Sequence, residues 1–248
     1  MGHYGPQCTA HNALSWRKAR AEIALPCTQG EEGYADKCSR PSAVNRQERS
    51  GAHRDPLGAR QTHRPKRPLL RANVQAVGAV VRRGGIVGYA VEACFGLGCD
   101  PRNRRALTRL LRLKRRPAAK GLILLAGSEH ALLRYAKELP ACACATWPGA
   151  HTWLVLARPG LSALVRGQHA EVAVRVTAHT QAARLARFAG GAIISTSANR
   201  AHERPARSYR ELGRRFGHGL DAILIGRTGT LPRPTPIRDA RTGGYVRP

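Results

Sequence analysis

The sequence predicts an α/β fold with a single twisted, open, mixed sheet flanked by helices. Between residues 70 and 225, short apolar runs alternate with segments whose apolar residues recur every three or four positions. Glycine pairs and polar capping residues separate these segments, and no internal repeat interrupts the alternation. Since alternating strands and helices build a partly parallel sheet, we expect ligands beyond the carboxyl ends of its strands.

The predicted strands are short apolar runs bounded by glycine or polar residues. Runs without polar alternation are typical of strands buried on both faces of a sheet. Residues 92–98 and 140–150 are predicted to be loops because they contain glycine or proline. The proline-containing tail after residue 231 is predicted to be extended. The strands are 86–91, 121–126, 151–157, 171–176, 192–195 and 220–225.

The predicted helices combine an apolar face with start and stop signals. In the first, Leu70, Val74, Val77 and Val81 share one face. Three of the other helices begin at a polar N-cap residue, in one case as part of a capping box. The helices are 70–81, ended by Gly84-Gly85; 100–114, begun by Asp100 and Pro101; 128–139, capped by Ser128; 180–188, ended by Gly190-Gly191; and 208–216, begun by Ser208-x-x-Glu211.

Residues 1–65 differ from the rest of the chain. Gly, Pro, His, Gln and Arg are scattered there without a period, which favours a disordered N-terminal extension before a folded domain at 66–248. That domain carries 32 of the 42 basic residues but only 9 of the 15 acidic ones. The basic character therefore belongs to the folded part, where we expect a basic concave surface.

A basic excess of this size indicates a polyanionic partner, with RNA or nucleotides ahead of a membrane. Aromatic residues make up only 5% of the chain, which argues against a platform of stacked bases. The sequence has no apolar run of membrane-spanning length and no secretory signal, so we expect a cytoplasmic protein with no membrane partner.

The seven cysteines predict neither a disulfide framework nor a metal site. Their number is odd and no Cys-x-x-Cys pair occurs. Cys142-x-Cys144 alone is a weak metal signal. Reduced cytosolic thiols fit this pattern best.

The first candidate site is a cluster of cations between a helix and a strand. Pro117, which breaks the helix, is flanked in sequence by Lys114, Arg115, Arg116 and Lys120. The heads of Lys114 and Arg116 can converge there on one anion. The alternative is a solvated basic loop, because charge runs are usually solvated faces.

The second candidate site is Ser195-Thr196-Ser197-Ala198-Asn199, which directly follows a buried strand. Its hydroxyls and amide can bind a ribose, a phosphate or an amino acid. A turn in which these side chains satisfy local backbone groups is the alternative. Together with the cations, the stretch suggests an anion site with hydroxyls on one wall. There is no Walker A loop or Rossmann fingerprint, so a nucleotide site here is of another type.

Several motifs occur in an order that closely resembles the YrdC/TsaC family of threonylcarbamoyl-AMP synthases. Each motif alone is weak, but the ordered set is specific. The resemblance covers about residues 70–247 and is to the short bacterial branch, which has no extra C-terminal domain. The motifs are Tyr89-x-x-Glu92-Ala93-x-Phe95-Gly96-Leu97-Gly98-Cys99-Asp100, Lys114-x-Arg116-Pro117, Trp147-Pro148-Gly149-x-x-Thr152, Ala173-Val174-Arg175-Val176, Ser195-Thr196-Ser197-Ala198-Asn199 and Ile237-Arg238-Asp239-Ala240-x-Thr242-Gly243.

The resemblance implies a YrdC-like catalytic domain at 66–248 and a specific reaction. In the family, ATP, L-threonine and bicarbonate give L-threonylcarbamoyladenylate and pyrophosphate, with Mg²⁺ carried by the ATP. The adenylate then feeds N6-threonylcarbamoyladenosine formation in tRNA through downstream threonylcarbamoyl-transfer machinery. ATP, L-threonine, bicarbonate and tRNA or double-stranded RNA are therefore the expected partners.

The resemblance also implies roles for individual residues. Lys114 and Arg116 match the family's catalytic Lys-x-Arg, whose cations stabilise the negative charge that develops during attack on the α-phosphate. Lys120 is a supporting cation. The implied nucleotide-binding residues are Lys114, Arg116, Thr152, Arg175, Ser195, Ser197 and Asn199, and the implied threonine-binding residues are Val91, Arg175 and Ser197.

One position departs from the family pattern. The family loop reads Tyr-Pro-Thr-Glu, whereas this chain has Tyr89-Ala90-Val91-Glu92. Val91 has the shape of Thr but lacks the hydroxyl that is expected to face the amino acid. Loss of a neutral hydrogen bond weakens binding by about 0.5–1.5 kcal/mol.

Two other functions are compatible with the residues. A non-catalytic tRNA- or double-stranded RNA-binding maturation factor is favoured by the basic domain and by Val91. A carbamoyl-handling module like that of hydrogenase maturation proteins is the third hypothesis. The lack of attached acylphosphatase and zinc-finger regions argues against it.

Overall fold

The computed structural model describes residues 68–247, so the predicted disordered extension at 1–65 lies outside the described residues. Within 68–247, the chain forms ten strands and six α-helices. The strands are β1 Leu69–Arg71, β2 Val87–Ala90, β3 Phe95–Gly98, β4 Ile123–Ala126, β5 Thr152–Leu156, β6 Glu171–Val176, β7 Ala192–Ser197, β8 Ala222–Leu224, β9 Ile237–Asp239 and β10 Tyr245–Arg247. The helices are α1 Val74–Arg82, α2 Arg104–Lys114, α3 Ala141–Cys144, α4 Ala163–Arg166, α5 Thr180–Phe188 and α6 Tyr209–Phe216.

The strands form one mixed sheet, as the sequence predicts, and their order in it is β1-β8-β2-β3-β7-β4-β6-β5-β9-β10. Parallel pairs lie at β1–β8, β8–β2, β4–β6 and β5–β9. Strand β7 is antiparallel to both of its neighbours, β3 and β4. The centre of the sheet therefore has strands that point in opposite directions.

Helices cover both faces of the sheet, and each face has its own apolar cluster. Helices α1 and α5 pack on one face, and α2 and α6 on the other. Neighbouring residues of one strand face opposite clusters: Leu124 packs with α2 and Leu125 with α5. This two-sided burial explains why the strand sequences are continuous apolar runs. No helix within 68–247 is long and apolar enough to cross a membrane.

The first predicted helix begins later than expected, because Leu70 belongs to strand β1. Asn73 is the reason. Its side-chain oxygen accepts hydrogen bonds from Gln75 N (2.8 Å) and Ala76 N (3.2 Å), which makes it the N-cap of α1.

The predicted loop at 92–98 is wrong, since Phe95–Gly98 is strand β3, antiparallel to β2. A Cβ atom at Gly98 would overlap Ile194 O and lie 2.9 Å from Tyr89 Cε1. Glycine here marks the close approach of another strand and not a turn.

Asp100 is not the predicted N-cap of α2. Its carboxylate accepts from Arg102 N (2.9 Å) and forms an ion pair with the Arg102 side chain (2.8 Å). Asn103 caps the helix instead, because its side-chain oxygen accepts from Ala106 N at 3.0 Å.

The predicted helix 128–139 is also wrong. Only a 3₁₀ turn, His130–Leu132, forms there. Beyond it, Ala136 makes a β-bridge with Ala157, and Lys137 N donates to Leu156 O at 2.9 Å. Residues 136 and 137 therefore pair with the chain at the end of β5 and do not continue the predicted helix. The short helices α3 and α4 carry no sequence signal strong enough to predict them, whereas β6 and α5 agree with prediction to the residue.

Replacement of Gly98 by Ala is expected to lower the free energy of unfolding by about 1–3 kcal/mol, since overpacking against a backbone oxygen forces the strands apart. Gly96→Ala is the matched control on the same strand, because its Cβ would lie 3.5 Å or more from any neighbour. Denaturant unfolding of the two variants measures the difference. Equal stability losses would contradict the packing described for β3.

Candidate active site

A cavity of about 500 Å³ opens against the sheet between the end of α2 and the C-terminal hairpin β9–β10. Six of the eight residues predicted for the site line it: Val91, Arg116, Arg175, Ser195, Ser197 and Asn199. The cavity lies at the carboxyl end of β7 but at the amino-terminal half of β4, where Ile123 lines it. Our expectation of a site at carboxyl ends is therefore only partly right, because β7 runs against its neighbours.

The turn after β7 forms a wall of hydroxyl and amide groups. Ser197 Oγ donates to Asn199 Oδ1 at 2.5 Å. The Asn199 amide donates to Arg200 O and Glu203 O, both at 2.9 Å. Asn199 thus stabilises the turn by bonding to its backbone, which is the alternative that the sequence left open for this stretch. Ser197 and Asn199 of the turn also line the cavity.

Lys114 lies behind this turn and does not line the cavity. Lys114 is the last residue of α2, and only 6% of it is exposed. Its ammonium donates to Ser197 O and, at 2.9 Å, to Asn199 O. Burial, followed by the charge of Arg116, lowers the pKa of Lys114 to about 8. The contact ties the end of α2 to the hydroxyl wall.

Arg116 reaches the cavity because the chain reverses after α2. Arg115, the C-cap, takes a left-handed conformation with φ of 50°, and Pro117 follows. Arg116 Nε and Nη2 donate to Gly121 O at 3.2 and 2.9 Å. Burial and the charge of Arg247 lower the pKa of Arg116. The heads of Lys114 and Arg116 therefore bind different carbonyls and do not converge on one point.

Arg175 forms the floor of the cavity and is 4% exposed. Its Nη1 donates to Thr235 Oγ1 at 3.0 Å, and its Nη2 lies 3.3 Å from Glu92 Oε2 as an ion pair. Glu92 Oε1 accepts from Thr177 Oγ1 at 2.5 Å. Arg175 Nε has no hydrogen-bond partner within the described part of the chain. The floor is therefore a buried cation that is neutralised by Glu92 and held in place by Thr235.

Thr152 is fully buried and lies outside the cavity lining. Its hydroxyl is 3.4 Å from the hydroxyl of Thr235, which in turn contacts Arg175. Thr152 therefore supports the floor from behind.

Thr235 and Arg247 are among the lining residues that sequence reasoning missed. Thr235 sits in the tail that was read only as extended, and its position beside the Ile237-Arg238-Asp239 motif was the available signal. Arg247 is one of many arginines, and nothing in its neighbours distinguishes it. Its Nη2 donates to Thr235 O at 2.8 Å. Burial, followed by the charge of Arg175, lowers the pKa of Arg247.

Lys120, proposed as a supporting cation, also lines the cavity. Within residues 68–247, no group of three or more His, Cys, Asp or Glu residues is arranged to hold a metal ion. The cavity thus offers cations, hydroxyls and an apolar side wall that includes Val91 and Leu154.

Residues 79–247 match the model of the Sua5/YciO/YrdC family, which is described as telomere recombination. The chain belongs to the Sua5/YciO/YrdC family. The match spans more than half of the chain and covers every predicted site residue.

Two relatives are similar over nearly their whole length. A threonylcarbamoyl-AMP synthase of Halorhodospira halophila is 50% identical over 178 residues, which are 70% of this chain and 93% of that protein. A protein of the same name from Methylobacillus flagellatus is 49% identical over 172 residues, covering 68% and 95% respectively. These family members confirm the predicted enzyme class, a nucleotidyltransferase, and favour it over a non-catalytic RNA-binding factor.

Solved structures confirm the fold of this family member. E. coli YciO superposes with a TM-score of 0.63 at 21% identity, over 72% of this chain and 92% of that one. P. abyssi Sua5, solved in complex with L-threonine, superposes with a TM-score of 0.64 at 24% identity, over 69% and 53%. The predicted single mixed sheet flanked by helices is the architecture these proteins share.

Replacement of Arg175 by Met is expected to lower the free energy of unfolding by about 3–5 kcal/mol, because it leaves the buried Glu92 carboxylate without its cation. Arg241→Met is the matched control. Its ion pair with Asp239 is exposed, and such pairs contribute about 0–1 kcal/mol. Denaturant unfolding compares the two. A loss for Arg175→Met no larger than for the control would contradict a buried, structural ion pair at the floor.

Proposed function

We propose that the chain is an L-threonylcarbamoyladenylate synthase, which converts ATP, L-threonine and bicarbonate into threonylcarbamoyl-AMP and pyrophosphate. The names of its relatives support this reaction, as does the L-threonine complex of P. abyssi Sua5. The product is the donor for N6-threonylcarbamoyladenosine formation in tRNA by downstream transfer machinery.

The observation that carries the proposal is the set of cations that line one cavity, with buried Arg175 at its floor. Guanidinium groups bind carboxylates and phosphates strongly in sites from which water is excluded. Arg116, Lys120 and Arg247 line the same cavity, whose volume of about 500 Å³ suits a small-molecule site.

The reaction requires two changes in bonding. The threonine amine and bicarbonate first form a carbamate with loss of water. A carbamate oxygen then attacks the α-phosphorus of ATP, the bond to the β-phosphate breaks, and pyrophosphate leaves. Negative charge moves onto the leaving group, and Arg116 is a fixed cation that stabilises it in a partly desolvated cavity.

Lys114 takes part through the turn that it holds. Its positive charge stabilises the negative charge of the transition state from behind the turn after β7. Its hydrogen bonds to two carbonyl oxygens fix Ser197 and Asn199. We propose that Ser195, Ser197 and Asn199 orient the nucleotide.

For the amino acid, we propose that Arg175 and Ser197 bind threonine and that Val91 packs against its side chain. Thr152 steadies Arg175 through Thr235. Mg²⁺ arrives as part of the ATP substrate, since Glu92, the carboxylate nearest Arg175, is already in an ion pair.

Arg116→Ala is expected to reduce threonine-dependent pyrophosphate release by roughly a hundredfold or more, because loss of one donor to developing charge costs about 2.7–4 kcal/mol. Arg112→Ala removes an exposed cation from helix α2, four residues before Arg116, and should keep full turnover. Binding of tRNA to both variants at two salt concentrations separates enzyme from RNA binder. A mutant with full turnover and a salt slope reduced by about one unit would favour the RNA-binding function.

Val91→Thr is expected to lower the Michaelis constant for threonine by about 2- to 12-fold, since one restored hydrogen bond contributes about 0.5–1.5 kcal/mol. ATP affinity should stay unchanged, because Val91 is assigned to the amino acid. Val80→Thr, on helix α1 and away from the cavity, is the control. A change in ATP affinity with unchanged threonine kinetics would contradict this assignment.

A further inference from the structure

Three strands at one end of the sheet, β5, β9 and β10, carry a row of stacked side chains on the face opposite to Leu154 and Ile237, which line the cavity. Trp153 on β5 pairs with Arg238 on β9, and Arg238 pairs with Tyr245 on β10. The Arg238 guanidinium carbon lies 4.7 Å from the centre of the Trp153 ring and 5.2 Å from that of Tyr245. Arg238 is therefore held between an aromatic ring of the core and an aromatic ring of the terminal strand.

The two inner members of this stack, Trp153 and Arg238, are firmly oriented. Trp153 is 1% exposed, and its indole N–H donates to Thr146 Oγ1 at 3.0 Å. Arg238 Nε and Nη2 both donate to Gly243 O, at 3.1 and 2.9 Å, which fixes the plane of the guanidinium. Tyr245 is 64% exposed and contacts the stack from the solvent side. The core tryptophan thus sets the position of the terminal strand through one arginine.

The register of the hairpin determines which way Arg247 points. Tyr245 pairs with Arg238, but Arg247 pairs with Ile237, so strand β10 has one extra residue at this point. Ile237 and Arg238 are adjacent and face opposite sides of the sheet. The bulge therefore turns Arg247 to the side of Ile237, which lines the cavity, and away from the side of Tyr245.

Besides the stack, strand β10 is held by its pairing with β9 and by the hydrogen bond from Arg247 Nη2 to Thr235 O. It has three exposed residues, lies at the edge of the sheet and pairs only with β9 through an interrupted ladder. Burial and then the charge of Arg175 lower the pKa of Arg247, and burial and then the charge of Arg247 lower the pKa of Arg116, so Arg247 lies among cations that repel it. The stack opposes this repulsion on the other face of the same strand.

We propose that the Trp153–Arg238–Tyr245 stack is a positioning device that holds the bulged terminal strand so that Arg247 faces the phosphates of the nucleotide. The inference rests on the proposed function for the identity of the ligand. Arg247 contacts the anion in this scheme, while Arg238 and Tyr245 act through it. Weakening the stack should therefore act on anion binding and not on the chemical step.

The test is the dissociation constant of the full chain for Mg·ATP and for inorganic pyrophosphate, measured by titration calorimetry. Tyr245→Ser removes the outer ring, and Tyr245→Phe keeps it. We expect Tyr245→Ser to weaken both ligands about tenfold, as Arg247→Ala does, since a charge-assisted contact is lost in each. Tyr245→Phe should bind like the wild type, and the Tyr245→Ser/Arg247→Ala double variant should bind no more weakly than either single variant. Saturated turnover of Tyr245→Ser should stay near that of the wild type.

Arg241→Ala is the matched control, because it removes an exposed hairpin arginine that forms an ion pair with Asp239 and stands outside the stack. It should leave both affinities unchanged. Wild-type affinity of Tyr245→Ser alongside weakened Arg247→Ala, or additive losses in the double variant, would overturn the inference and leave the proposed function intact. A wild type that binds neither ATP nor pyrophosphate would overturn both.

Discussion

The ammonium group of Lys114 is the contact on which the cavity depends. It joins the last residue of α2 to two backbone oxygens, Ser197 O and Asn199 O, in the turn after β7. A buried cation is stable only when its donors are satisfied, so this contact fixes helix and turn together. Directly beyond it, the left-handed Arg115 reverses the chain and brings Arg116 to the cavity. One interaction therefore sets both the hydroxyl wall and a neighbouring cation.

The direction of β7 explains why this site differs from that of a fully parallel sheet. Because β7 is antiparallel to β3 and β4, its carboxyl end meets the beginnings of neighbouring strands. Arg175 then rises from within β6, paired with Glu92 from the opposite side of the sheet's centre. Five Lys and Arg residues line the cavity against two carboxylates, Glu171 and Glu203. This excess of positive charge suits an anionic ligand, and the proposed reaction with ATP relies on it.

Local signals in the sequence predicted much of the fold, and contacts distant in sequence account for the errors. The valine-rich pattern of β6 and the helical period of α5 are local, and both were predicted to the residue. Gly98 was predicted to be a loop residue. The strand whose backbone leaves no room for a Cβ atom at Gly98 contains Ile194, which is distant in sequence. For the site, the motifs identified six of the residues that line the cavity, but burial placed Lys114 and Thr152 behind the wall and floor. Arg247 was missed because a bulge, and not the sequence around it, turns it into the cavity.

The central claim is that this cationic cavity joins a threonine carbamate to AMP. The most direct measurement incubates the purified protein with ATP, L-threonine and ¹³C-bicarbonate and follows the products by mass spectrometry. The account predicts threonylcarbamoyl-AMP that carries one ¹³C atom, formed together with an equal amount of pyrophosphate and only when threonine is present. Pyrophosphate release that is independent of threonine, or an adenylate without the label, would contradict it.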